Sequence, residues 1–221
     1  MKPRLDEQTM ALRVAREFRD GMYINLGYGI PTLAANFIPD NQEVIFHSEN
    51  GCLGYGPTPA REEDQDFHLV NATGQFATRK PGMCFFDHAE SFSMIRGKHI
   101  DLCVLGGLQV SAKGDLSNWS TSAKRLGNIG GAMDLAFGAT RLIVVMTHVT
   151  KDNQFKILRN CSYPLTAPRC VDLIITDIAV IEIKDEGLML LENAPGWSAA
   201  EIQTLTEPPL QVSPSLKTME I

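Results

Sequence analysis

Met22-Tyr23-Ile24-Asn25-Leu26-Gly27-Tyr28-Gly29-Ile30-Pro31 reads as a short strand followed by a glycine turn. A helix is expected over residues 32–37, closed by Pro39, and Val44-Ile45-Phe46 follows as a second apolar strand. Strand, glycine turn, helix, strand is a βαβ unit, and a crossover of that kind predicts parallel strands. A glycine turn at a helix start can present backbone N–H groups to an anion, or be a plain tight turn. G-x-G alone does not separate the two.

The same grammar extends outward in both directions. Residues 6–20 predict an amphipathic helix with Met10, Val14 and Phe18 on one face and Arg13, Arg16 and Arg19 elsewhere, ended by Gly21. Ile100-Asp101-Leu102-Cys103-Val104-Leu105 is a near-continuous apolar run, as expected for a strand covered on both faces, and Gly106-Gly107 ends it. A second glycine cluster, Gly127-Asn128-Ile129-Gly130-Gly131, leads into a helix over 132–137 and a strand over 141–147. Further strands are expected at 67–72, 83–86, 108–111 and 171–176, and a short helix at 89–96. Asp185-Glu186-Gly187 marks a hairpin between 179–184 and 188–191. Ser198-Ala199-Ala200-Glu201 has the form of a capping box that starts the last helix. No linker or solenoid-length repeat interrupts the pattern. The prediction is one α/β domain over 1–206, an open and mostly parallel sheet with flanking helices. A tail over 207–221 is expected to be extended or poorly ordered.

Composition narrows the function classes. The chain has 221 residues, 44% of them hydrophobic, and a net charge of −6. That charge argues against a nucleic-acid binder, which presents a basic face. The five cysteines form no C-x-x-C pair, so neither a disulfide framework nor a zinc site is expected, and reduced thiols fit a cytoplasmic protein. His47, His88, His99 and His148 lack ligand spacing and are expected to be structural or surface residues, with no metal bound. No signal peptide and no membrane span are expected.

One carboxylate stands out. In Phe46-His47-Ser48-Glu49-Asn50-Gly51, Glu49 lies where a strand ends and a glycine-rich loop begins. In open α/β sheets, ligands bind outside the carboxyl ends of the strands. A glutamate there can serve as acid, base or nucleophile, with Ser48 and Asn50 as candidate hydrogen-bond partners, or it can be a solvated residue in a turn.

Taken together, these stretches resemble the family I CoA-transferases, in their B (beta) subunit. Ser48-Glu49-Asn50-Gly51 resembles the family's Ser-Glu-Asn-Gly signature, and Gly27-Tyr28-Gly29-Ile30-Pro31 its early glycine turn. Phe92-Ser93-Met94-Ile95-Arg96-Gly97, Gln109-Val110, Gly114-Asp115-Leu116-Ser117-Asn118-Trp119 and Gly130-Gly131-Ala132-Met133-Asp134-Leu135 resemble further family segments in the family's order. The resemblance spans roughly residues 5–206. Cys52 departs from the usual aliphatic residue and is expected to be a buried thiol. Residues 120–129 depart from the family's more common Pro-Gly-Lys and Lys-Gly-Met pattern, which carries a CoA-contacting lysine. This loop, with Glu62-Glu63-Asp64, Phe86-Asp87-His88-Ala89 and Cys161-Ser162-Tyr163-Pro164-Leu165-Thr166, resembles the 3-oxoadipate branch, with 3-oxoacid enzymes next.

The resemblance implies the CoA-transferase and sugar-phosphate-isomerase type of fold and a reaction that moves CoA from an acyl-CoA to a free carboxylic acid. Glu49 would be the nucleophile and form a glutamyl-CoA thioester. Gly27, Gly29, Gly106, Gly107, Gly130 and Gly131, with Asn50, are the candidates for binding the CoA substrate and the oxyanion. Succinyl-CoA is the expected donor, with 3-oxoadipate favoured over acetoacetate as acceptor. No cofactor is expected beyond the CoA thioester itself. A separate A (alpha) subunit is the implied partner, in a hetero-oligomer such as α2β2 with the active site at the subunit interface. The competing readings are an acyl-CoA hydrolase on the same fold and a non-catalytic ligand-binding protein.

Overall fold

A computed structural model describes residues 2–121 and 128–221. The elements are α1 (Glu7–Ala15), β1 (Tyr23–Leu26), α2 (Ile30–Leu33), β2 (Ile45–Ser48), β3 (Cys52–Leu53), β4 (Cys84–Phe85), α3 (His88–Arg96), β5 (Leu102–Gly106), β6 (Gln109–Ser111), β7 (Leu116–Ser117), α4 (Ala132–Gly138), β8 (Arg141–Met146), β9 (Ile157–Leu158), β10 (Leu173–Thr176), β11 (Ala179–Lys184), β12 (Gly187–Asn193), α5 (Ala199–Thr204) and β13 (Leu210–Thr218).

Among the described residues, ten strands form one open sheet in the order β13-β12-β11-β10-β8-β5-β1-β2-β3-β4. Its centre, β10-β8-β5-β1-β2, is parallel throughout. These strands are the continuous apolar runs of the sequence, and burial on both faces is why they do not alternate. Ile24, Val104, Ile143, Val144 and Ile174 are fully covered. The flanks turn antiparallel through the hairpins β2-β3-β4 and β10-β11-β12. The expected open, mostly parallel sheet with flanking helices is therefore what the chain forms. It also forms a second, three-stranded sheet, β7-β6-β9, over a region where the sequence predicts one strand.

Local chemistry explains the helix ends. Asp6 and Asp87 cap α1 and α3 by accepting from the backbone N–H of Thr9 and Glu90. Ser198 and Glu201 complete the capping box at α5. Residues 67–72, expected as a strand, instead form an irregular loop held by an isolated bridge from Val70 to Phe76. Asn71 explains the difference. Its Oδ1 accepts from the N–H groups of Thr73 and Gln75, which folds the chain back on itself instead of extending it. The tail is extended: β13 pairs parallel with β12 as an edge strand, where Pro214 is tolerated, and the register shifts between Leu190 and Glu192. No helix among the described residues is long and apolar enough to cross a membrane.

The polar face assigned to α1 needs correction at Arg13, which is buried rather than exposed. Its guanidinium donates to both oxygens of Glu192 on β12, at 2.7 and 3.0 Å, and to Glu17 at 2.8 Å. Glu192 is therefore one half of a buried bidentate pair. Arg141, at the start of β8, donates to the other oxygen of Glu17 at 2.8 Å. Burial acts to raise the Glu17 pKa, but hydrogen bonds and charge from Arg13 and Arg141 outweigh it and hold the carboxyl below its ordinary value.

Candidate functional site

The chain leaves β1 for β2 on one side and returns to place β5 on the other side of β1. The direction of strand order reverses at β1, and such a switch point opens a crevice at the carboxyl ends of the strands. A cavity of about 490 Å3 lies there. Gly27 and Tyr28 follow β1, Glu49 follows β2, and Gly106, Gly107 and Leu108 come from the end of β5 and the turn after it. Gly130, Gly131 and Ala132, at the start of α4, form another wall with Asn118 and Trp119. Five of the six glycine candidates and the candidate nucleophile thus converge, although they are spread over more than a hundred residues of sequence.

Glu49 is half-buried, and one of its oxygens accepts from the side-chain amide of Asn25 at 3.2 Å. The expected partners, Ser48 and Asn50, are engaged elsewhere. Ser48 Oγ accepts from the Ala72 N–H at 2.7 Å and so holds Ala72 in the cavity lining. Asn50 is exposed and donates to the Val70 carbonyl at 2.8 Å, outside the cavity. Gly29 also lies outside the lining. It precedes α2 with φ +88, and its carbonyl accepts from the Thr32 hydroxyl at 2.7 Å. Among the residues of the second glycine cluster, Gly127 lies outside the described residues, as do Lys124 and Arg125 of the atypical loop.

At Gly107 and Gly131 a side chain would lack space. A Cβ on Gly107 would lie 2.6 Å from Val144 Cγ1, and one on Gly131 would lie 3.0 Å from the Phe92 ring and 3.8 Å from Glu49 Cγ. Gly51 has φ +121, and any Cβ there would collide with the Phe86 carbonyl oxygen. The last position of the Ser-Glu-Asn-Gly stretch is therefore dictated by the backbone turn that releases the chain after Glu49.

Asn25 is a site residue that the sequence reading misses, although a polar side chain inside the apolar run Tyr23-Ile24-Asn25-Leu26 is a legible signal. It pairs in register with His47 across β1 and β2, and its amide also donates to His47 Nδ1 at 3.0 Å. Nδ1 is thus the acceptor, which leaves the proton on Nε2 facing Ser91 Oγ at 3.2 Å. Burial lowers the His47 pKa to about 4, so the ring is neutral at pH 7. It positions Asn25 and brings no charge to the site. Cys52 is buried with its thiol pushed up to about 11 by burial, and remains protonated.

His148 is also structural. Its ring nitrogens lie 3.0 Å from Thr176 Oγ1 and 2.9 Å from Thr206 Oγ1, and burial again lowers its pKa to about 4. Both histidines are neutral in the fold, whereas the unfolded chain protonates them below about 6.5. Protonation then favours the unfolded state, so stability is full above pH 6.5 and is lost as pH falls from there towards 4. The expected loss is on the order of 3 kcal/mol per histidine. Urea unfolding between pH 7 and 4.5 checks this: the slope of stability against pH should be about halved in His148→Gln. An equal slope in the wild type and the variant would refute the assignment.

The chain matches the family model described as Coenzyme A transferase over residues 7–204. It is 49% identical to the B subunit of the 3-oxoadipate CoA-transferase of Pseudomonas putida over 208 residues, covering 94% of this chain and 97% of that one. It is 50% identical to a mitochondrial succinyl-CoA:3-ketoacid coenzyme A transferase of Mus musculus over 210 residues, covering 94% of this chain but 40% of that longer one. Its backbone superposes on an acyl-CoA transferase of Escherichia coli O157:H7, solved as a thioester complex with CoA, with a TM-score of 0.77 at 23% identity, over 100% of this chain and 44% of that one. With a family model spanning nearly the whole chain and relatives at such identity, this protein belongs to the coenzyme A transferase family.

Proposed function

We propose that this chain is the glutamate-bearing B subunit of a CoA-transferase that moves CoA from succinyl-CoA to a 3-oxo acid, with 3-oxoadipate as the favoured acceptor and acetoacetate next. The observation that carries the reading is the Glu49 carboxylate, held by the Asn25 amide in a glycine-walled cavity at the switch point of the sheet. A Glu49 oxygen attacks the thioester carbonyl, the C–S bond breaks and CoA thiolate leaves, giving a mixed anhydride. The thiolate then attacks the glutamyl carbonyl and releases the acyl group as its carboxylate. The acceptor acid reverses both steps. No cofactor is required, because the leaving thiolate is itself the returning nucleophile. Backbone N–H groups of Gly27, Gly106, Gly107, Gly130 and Gly131 are the candidate donors to the oxyanions.

An A subunit completes the site in this reading. Tyr28, at the cavity, is 81% exposed, and Met133 and Phe137 lie exposed four residues apart on α4, whose first turn lines the cavity. Exposed apolar groups of this kind are what a partner surface covers. The bacterial relatives are named as B subunits, which supports the same arrangement. The assembly is proposed to work in the cytoplasm. The test is a panel of carboxylic acids offered with succinyl-CoA to the co-expressed subunits. Transfer to 3-oxoadipate should exceed transfer to acetoacetate. Preference for acetoacetate would reassign the acceptor, and release of free succinate with no acyl-CoA product would favour a hydrolase.

A further inference from the structure

The acids in the proposed reaction carry two kinds of carboxylate. One reacts at Glu49, and succinyl and 3-oxoadipyl groups keep a second one at the far end. Among the described residues, the Glu49 cavity has no arginine, lysine or histidine in its lining. A smaller cavity of about 240 Å3 adjoins it, sharing Tyr28, Gly106 and Gly107, and this one holds a cation, Lys156.

Lys156 sits immediately before β9 and is 9% exposed. Its ammonium donates to Thr147 Oγ1 at 3.2 Å, at the carboxyl end of β8, and Thr147 also lines the smaller cavity. No carboxylate among the described residues lies within ion-pair distance of it. Asp177, which faces it electrostatically, is already occupied. One Asp177 oxygen takes Arg4 at 2.9 Å, and the other takes the His148 backbone N–H at 2.7 Å. A buried ammonium without a carboxylate is costly to maintain. Burial accordingly lowers its pKa to about 8, against an opposing pull from Asp177, which leaves it largely charged at pH 7. An anionic ligand entering from the Glu49 side would supply the missing charge.

We propose that Lys156 anchors the far carboxylate of a dicarboxylic acyl group while the other end reacts at Glu49, which makes it a specificity residue for dicarboxylic over monocarboxylic substrates. The proposal rests on the CoA-transfer reading.

The test uses the complex of this chain with its A subunit and compares Lys156→Met and Lys156→Arg with wild type. Formation of the enzyme–CoA thioester is followed by intact mass from succinyl-CoA, which has a far carboxylate, and from acetoacetyl-CoA, which lacks one. In Lys156→Met, kcat/KM should fall roughly 10- to 100-fold with succinyl-CoA and stay within about twofold with acetoacetyl-CoA. Lys156→Arg should recover part of the loss. An equal fall with both thioesters would overturn the proposal, because a contact to CoA itself or a purely structural role is common to both. No fall with succinyl-CoA would overturn it as well. A wild-type complex that forms no thioester from either compound would sink the transfer reading instead. The anchor is then read by calorimetric titration with succinate and butyrate. Succinate binding alone should weaken about tenfold in Lys156→Met, and unchanged succinate binding would refute it.

Discussion

Glu49→Ala and Glu49→Gln should each abolish CoA transfer, by roughly four orders of magnitude or more, when assayed with the A subunit. The reason is chemical. A carboxylate is a weak nucleophile made useful by placement, and without it there is no acyl-enzyme route. Glutamine keeps the shape, and its carbonyl oxygen can still accept from Asn25, so it isolates the loss of the nucleophile from any loss of packing. Both variants should fold normally. Glu49 is half-buried in the turn after β2 and makes one hydrogen bond to Asn25, so the expected change in stability is within about 1 kcal/mol. Borohydride added after incubation with acyl-CoA should inactivate the wild-type complex by reducing a thioester at Glu49, with a mass change confined to the peptide that carries it. Retained transfer in Glu49→Gln, or no mass change on that peptide, would remove Glu49 as the nucleophile.

Arg13→Met should be strongly destabilising although it lies away from the site, costing about 3–5 kcal/mol. Arg13 is tied to Glu192 through two short bonds in a buried setting, and also holds Glu17. Removing it leaves Glu192 with the exposed Lys217 at 3.4 Å as its remaining ion partner. The penalty is that of a stranded buried carboxylate, so Arg13→Met combined with Glu192→Leu should recover most of the stability. Urea unfolding of the two single variants and the double variant checks this. If the double variant is as unstable as the sum of the singles, the pair is not coupled and the assignment fails. CoA transfer at low temperature should be nearly unchanged in all three, because the pair joins α1 to β12, remote in the sheet from β1 and β2.

The two cases differ in how far sequence could have revealed them. Glu49 was legible because its position, at the end of an apolar run and before glycines, is a local feature of the chain. Arg13 was not. At helical spacing it falls among other arginines, and nothing local separates a buried arginine from a solvated one until β12 brings Glu192 opposite. Asn25 lies between these. A polar residue within an apolar strand is visible as an anomaly, but its partner is set by the register that aligns it with His47 and brings Glu49 within reach. The loop at 67–72 went the other way. Its apolar residues suggest a strand, and the Asn71 side chain overrides that by capturing the backbone of Thr73 and Gln75.

Periodicity, punctuation by glycine and the runs of branched residues were enough to determine the α/β class, the parallel centre of the sheet and the glutamate placed at a strand end. Those features are local, since backbone propensity and burial pattern act over a few residues. The site itself was decided by tertiary structure. Gly27, Gly106 and Gly131 meet around Glu49 because strand order reverses at β1, and strand order depends on pairings between segments far apart in the chain. For the same reason Asn25, and not Ser48 or Asn50, holds the carboxylate, and Lys156 comes to lie beside Gly106-Gly107 with no acid among the described residues within ion-pair distance. Which polar groups find partners, and which are left for a ligand, is a property of packing that no single stretch of sequence contains.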